Sequence, residues 1–198
     1  MSDKYKLVEY DKIEISGHTL YRIRALRHIY PSKGLKVSPG ELGGYVGGYG
    51  NLSQGGECWI SEKAKVYMEA RVSGKSLVSR WSDVFGYSKI GESAFLESCK
   101  VYAHSKIRGS SEVKESKIYG YSLIEGKSKV LRSEVYGNVR VHSSVYVTEA
   151  RIGAWREKHG YADLKEKYSV CDGRSLHNAI VATAEADYRL DLSESKKG

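Results

Sequence analysis

Proline, cysteine and methionine are scarce in this chain of 198 residues, which holds two, three and two of them. So little proline excludes a proline-rich linker or polyproline arm. Three cysteines cannot all pair, which excludes a disulfide framework as the scaffold. Long apolar runs are missing too, and nothing approaches the ~18 consecutive apolar residues of a membrane-spanning helix. The stretch from Met1 to Leu20 mixes Lys, Asp and Glu with isolated apolar residues, so it lacks the apolar core of a secretory signal. The expected location is therefore the cytoplasm, with reduced thiols and no membrane. Acidic residues are also in deficit, 24 Asp plus Glu against 32 Lys plus Arg, for a net charge of +8. Anionic partners are thus the first class to weigh. An apolar fraction of 40% and an aromatic fraction of 11% exclude a disordered chain. What the chain does have in quantity is glycine, 21 residues, and tyrosine, 16. With frequent Val and Ser, these suggest many short strands joined by tight corners.

An internal repeat organises the middle of the chain. From Ile60 an aliphatic residue recurs every six positions, at Val66, Val72, Val78, Val84, Ile90 and Leu96. The steps then run five, six, six and repeat, through Val101, Ile107, Val113, Ile118, Ile124, Val130, Val135, Val141, Val147 and Ile152. Two residues before each stands a small side chain, from Cys58 and Ala64 through Ser105 and Ser122 to Ala150, except at Val139 and Val145. Strand side chains alternate between faces, so the small and the aliphatic residue point to one side and the residues flanking the aliphatic one point to the other. Each hexad reads as a short strand plus a corner, and three strands make one triangular coil. The five-residue step follows Leu96, Val113, Val130 and Val147, so one corner, at Ser98, Glu115, Arg132 and Glu149, is one residue shorter in every coil from Leu96 on. About six coils result, with the small and aliphatic positions lining a narrow prism that needs a cap at each end.

The hexad is similar to the signature of left-handed parallel β-helix proteins, whose familiar members are trimeric acyltransferases. Upstream, Leu20-Tyr-Arg-Ile-Arg-Ala-Leu-Arg27, Leu42-Gly-Gly-Tyr-Val46, Asn51-Leu-Ser-Gln54 and Cys58-Trp-Ile60 resemble the N-terminal module of a bacterial and bacteriophage group whose members are often labelled as transferases or left without a function. This resemblance covers residues 5 to 153 and implies the fold far more strongly than an activity. The expected organisation is an all-β, left-handed parallel β-helix of about six coils over residues 51–153. Residues 1–50 precede it as a hairpin and glycine-rich cap, and residues 154–198 follow as a helical segment and tail. Gly47-Gly-Tyr-Gly50 lacks the Gly-Lys-Ser/Thr ending of a phosphate loop and reads as loop geometry. In the last segment Trp155, Tyr161, Leu164 and Tyr168 fit one helical stripe. Leu176, Ile180 and Ala184 fit a second, N-capped by Ser175.

The outward positions define three sides. The first carries the column Tyr67, Phe85, Tyr102, Tyr119 and Tyr136, expected as a stacked ladder or a subunit contact. The second is basic, with Arg71, Lys89, Lys106 and Arg140 in one column and Arg108, Glu125 and His142 in the other. Stacked like charges repel, so an anionic ligand on Arg71, Lys89, Lys106, Arg108, Arg140 and His142 would relieve them. The third opens with Trp59, Leu77 and Phe95, an apolar patch to be covered by the terminal segments or by another subunit.

Catalytic groups are few. An acyltransferase reading would use acyl-coenzyme A as cofactor and His104 or His142 as general base. No third histidine in the coils completes a zinc site with these two, so no metal is expected. Cys58 and Cys99 sit at inward positions as packing residues, and Cys171 lies in a turn. Nucleic acid is disfavoured because the tyrosine and basic columns lie on different sides and Asp83, Glu125 and Glu134 interrupt them. The reading with most support is a non-enzymatic bacteriophage-type binding protein without a cofactor, forming a homotrimer. It would hold an anionic small molecule, such as a nucleotide signal sequestered against host defence, or a host protein. A structural or assembly role is the remaining alternative.

Overall fold

The computed structural model describes residues 3–154, 162–164, 169–170 and 175–177. Two antiparallel strands, β1 (Tyr5–Ile15) and β2 (His18–Ala25), form the opening hairpin, turning at Ser16 and Gly17, both at positive φ. A third strand, β3 (Leu42–Val46), pairs with β2 antiparallel and with Lys65–Val66 parallel, so it joins the cap to the coils. From there the chain is a three-sided parallel β-helix. The coils begin earlier than the hexads suggest: Val46 pairs with Val66, and Leu52 bridges Val72.

The strands are only two to four residues long, and each sheet grows by in-register parallel pairing. On the aromatic side Val66, Val84, Val101, Ile118, Val135 and Ile152 stack. On the basic side Val72, Ile90, Ile107, Ile124 and Val141 do so. On the third side Ile60, Val78, Leu96, Val113, Val130 and Val147 do so. All of these are buried, and Ser105 and Ile107 lie wholly inside while Lys106 is exposed, as the alternation requires.

Corners turn because one residue in each takes the left-handed conformation. On the two longer corners this is often glycine, as at Gly74, Gly86, Gly109, Gly120, Gly126 and Gly137. On the short corner it is Ser98, Glu115, Arg132 and Glu149, with φ of 53°, 48°, 44° and 51°. The small inward residues do more than fit. Ser82, Ser105, Ser122 and Ser128 each donate Oγ to the carbonyl three residues earlier, at 2.7 to 2.9 Å, and so pin the corner. At the short corner Ser116 and Ser133 donate to the carbonyl two residues back, both at 2.6 Å, and accept the next coil's backbone N–H at 3.0 and 3.1 Å.

The N-terminal end of the prism is plugged by Lys4 and Tyr5, both fully buried. The Lys4 ammonium donates to the Cys58 carbonyl at 2.9 Å and approaches its Sγ at 3.1 Å, and the Tyr5 hydroxyl donates to the Leu52 carbonyl at 2.7 Å.

The third side is covered by the chain itself. Trp59, Leu77 and Phe95 are 2%, 4% and 8% exposed and share one apolar cluster with Ile29 and Val37 from the segment between β2 and β3. Ser32 N–H donates to the Lys75 carbonyl at 2.6 Å, and the Lys33 ammonium lies 5.3 Å from the Phe95 ring centre and 2.7 Å from Glu112. An intrachain cover, with no second subunit, accounts for the burial of these three.

The C-terminal helical expectation is corrected where the chain is described. Ala162–Leu164, Ser169–Val170 and Ser175–His177 are strands that pair with Val139–Val141, Tyr146–Val147 and Arg151–Gly153, adding a further rung to all three sheets. Ser175 and Leu176, expected to open the second helix, are thus in a strand. Trp155, Tyr161, Tyr168, Ile180 and Ala184 lie outside the described residues.

Candidate basic groove

The six residues expected to hold an anion fall into three groups. Arg71, Lys89 and Lys106 are aligned by the pairings Arg71↔Lys89 and Lys89↔Lys106, and all three are exposed. Among the described residues no carboxylate forms an ion pair with them. Their neighbours in the second outward column are Ser73 and Gly91, so a trough with little side-chain filling runs beside them. Its volume is about 650 Å³, and Glu92 is the single carboxylate in its lining.

Arg108 and Arg140 are engaged elsewhere. Glu125 accepts Arg108 Nε at 2.7 Å through Oε2 and Arg140 Nε at 2.8 Å through Oε1, a carboxylate clamped between two guanidinium groups. Burial pushes the Glu125 carboxyl up, but the hydrogen bonds from Arg140 and Arg108 outweigh this and hold it below the usual carboxylate range. Arg108 also closes one end of the trough. His142, half-buried, has Nδ1 3.3 Å from the Ser143 hydroxyl.

His104 occupies a different setting. It stands on the corner before the basic strand, its ring parallel to Tyr87 and Tyr121 at 4.9 Å on either side. This second aromatic column was not among the expected sites, because only strand positions were assigned to faces. Its spacing of 17, at residues 87, 104 and 121, is the signal that reveals it. The expected ladder on the first side is present as well. Tyr67, Phe85, Tyr102, Tyr119 and Tyr136 stack at 5.3, 5.1, 4.9 and 5.4 Å, with His18 against Tyr67. Tyr119 donates to Glu134 at 2.9 Å, and burial together with that carboxylate pushes its hydroxyl up to about 12. Both end rings, Tyr67 and Tyr136, are buried, and the three between are partly exposed.

Cys58 and Cys99 are buried, and burial pushes the Cys99 thiol up to about 12, the opposite of what a nucleophile needs. Cys171 lies outside the described residues. Among the described residues no three His, Cys, Asp or Glu side chains gather as metal ligands, and no helix is long and apolar enough to cross a membrane.

No protein family profile matches this chain, and no curated protein matches it. The parallel β-helix therefore rests on the pairing of its strands.

Proposed function

We propose that this protein is a non-enzymatic binding protein that holds an anion in the trough beside Arg71, Lys89 and Lys106. The observation that carries this reading is a row of three cations, one per coil, left without carboxylate partners among the described residues, above a floor of Ser73 and Gly91. In the coil after Lys106, Glu125 neutralises Arg108 and Arg140, so the chain has a device for relieving stacked cations that it does not apply to Arg71, Lys89 and Lys106. An incoming anion supplies the missing charge. The resemblance to phage proteins supports, as its finer form, a sequestered nucleotide signal or a bound host protein. The resemblance to hexapeptide-repeat proteins supports a homotrimer, whose intersubunit groove is the alternative place for the ligand.

Isothermal calorimetry against phosphate, tripolyphosphate and a nucleotide panel tests it. At least one anion binds the unaltered protein, and Arg71→Glu with Lys106→Glu abolishes binding. Gly91→Leu leaves the charge unchanged but fills the trough; its backbone is unstrained, and a side chain there first meets Ser73 Oγ at 3.4 Å. Binding by no member of the panel, or binding indifferent to both changes, refutes the reading.

A further inference from the structure

The plug at the N-terminal end of the prism contains a charge that plugging does not require. Lys4 is fully buried, and among the described residues no carboxylate forms an ion pair with it. Its ammonium meets the Gly55 carbonyl at 3.4 Å, the Cys58 carbonyl at 2.9 Å and Cys58 Sγ at 3.1 Å. Glu57 and Arg27, the charged side chains near it, are paired with each other at 2.9 Å. An apolar side chain of this length would fill the same space without the cost of desolvating a cation. The titratable atom that the ammonium touches is the Cys58 sulfur.

This contact is specific to one of the two buried thiols. Cys99 holds the same inward position in its own hexad, but its Sγ donates to the Glu97 and Val113 carbonyls at 3.1 and 3.0 Å and touches no amine among the described residues. At Cys58 the ammonium favours the thiolate, the form that attacks a peroxide, and holds a nitrogen in place to trap the product. Burial pulls Lys4 below the ordinary lysine range, against the opposing pull of the Cys58 sulfur, which brings the neutral, nucleophilic amine within reach. We infer that Lys4 and Cys58 form a modification site, at which hydrogen peroxide joins Nζ to Sγ in a sulfenamide cross-link. The thiolate attacks peroxide and breaks its O–O bond, giving a sulfenic acid and a hydroxide that takes one proton from the ammonium. The amine lone pair then forms the N–S bond as the S–O bond breaks, and the departing hydroxide leaves as water with a second nitrogen proton. Sulfur is oxidised by two electrons, the peroxide oxygens are reduced, and thiols reverse the link. Both groups are buried, so the reaction proceeds through local opening at this end of the chain, which costs far less than global unfolding. Once formed, the bond ties the start of the hairpin to a residue 54 positions on, in the first hexad. The inference is independent of the basic groove.

The test uses the full chain carrying Cys171→Ser, which leaves Cys58 and Cys99 as its thiols. A hydrogen peroxide series, quenched with catalase, is read by intact mass, by thiol count after unfolding and by tryptic mapping. The expected product is a monomer lighter by about 2 Da that has lost one thiol and joins the peptide carrying Lys4 to the peptide carrying Cys58, and dithiothreitol restores the starting mass. Lys4→Arg keeps the charge but offers no free amine. It should abolish the cross-link and leave a Cys58 sulfenic acid that dimedone captures. The same mass loss with both thiols gone is a Cys58–Cys99 disulfide and overturns the inference. So does a product heavier by oxygen, a Cys58 that stays reduced throughout the series, or a cross-link that persists in Lys4→Arg. The peptide map of the chain with Lys4 intact decides the matter even where Lys4→Arg does not fold.

Discussion

Replacing Gly109 by alanine probes whether the corners stack directly on one another. Gly109 has φ of +77°, and a Cβ there would lie 2.5 Å from the Gly126 carbonyl oxygen and 2.6 Å from its nitrogen in the next coil. Two costs combine: the left-handed conformation costs alanine about 1–2 kcal/mol, and the backbone contact forces a shift worth about 1–3 kcal/mol. A more restricted unfolded chain returns about 0.4–1 kcal/mol. The net loss is about 1–5 kcal/mol, centred on about 3. Gly17→Ala is the matched control, because Gly17 has φ of +78° and a Cβ there meets nothing within 4 Å. It should cost only the conformational part, about 1 kcal/mol. Urea denaturation of both variants, compared through the midpoint at a common slope, separates the two contributions. Equal losses within about 0.5 kcal/mol would refute the stacking of Gly109 on Gly126.

Three further outcomes follow from the hydrogen bonds and charges. Ser116→Ala leaves the buried Ser133 N–H without its acceptor and should cost about 1–3 kcal/mol. Ser105→Ala, which removes only a donor to the Tyr102 carbonyl, should cost about 0.5–1.5 kcal/mol, and thermal melts rank the two. Glu125 has its folded pKa below the unfolded value, so its contribution to stability is present above the unfolded carboxylate range and disappears as pH falls through the folded pKa. Glu125→Gln should therefore destabilise at neutral pH and become nearly neutral in strong acid, read by denaturant midpoints at both pH values. The hydroxyl of Tyr119 behaves oppositely: raised to about 12, its contribution to stability is full below the unfolded value near 10 and is lost as pH rises through about 12. Ultraviolet titration of Tyr119→Phe should lose one late-ionising phenol.

The prism was legible because its inner lining obeys a count. Every aliphatic position from Ile60 to Ile152 is inside, and the shorter corner falls where the five-residue steps place it. The ends were harder because insertions break the count. Leu52 and Ile60 are eight apart, which hides the first coil, and Ile152 and Leu164 are twelve apart, which hides the last rung. Beyond that gap the six-residue step returns at Leu164, Val170 and Leu176. Trp155, Tyr161, Leu164 and Tyr168 also satisfy a helical stripe, and short apolar runs do not choose between the two periods. The site was half legible. Alternation exposed the cation column, but not that Glu125 would engage Arg108 and Arg140 together, since this depends on how long side chains reach across coils. Nor did it reveal the segment over Trp59, Leu77 and Phe95, whose residues follow no period.

The opening hairpin gives the molecule a polarity. A bare parallel coil would offer a template on which another chain's strand could nucleate. On the aromatic side that terminus ends instead in β1, which carries Lys6, Glu9, Asp11, Lys12 and Glu14 and shifts register between Val8 and Lys12. An edge so charged and irregular resists fibril-like elongation. In that sheet, lengthening at the N-terminal edge by strand addition from another copy is thereby disfavoured.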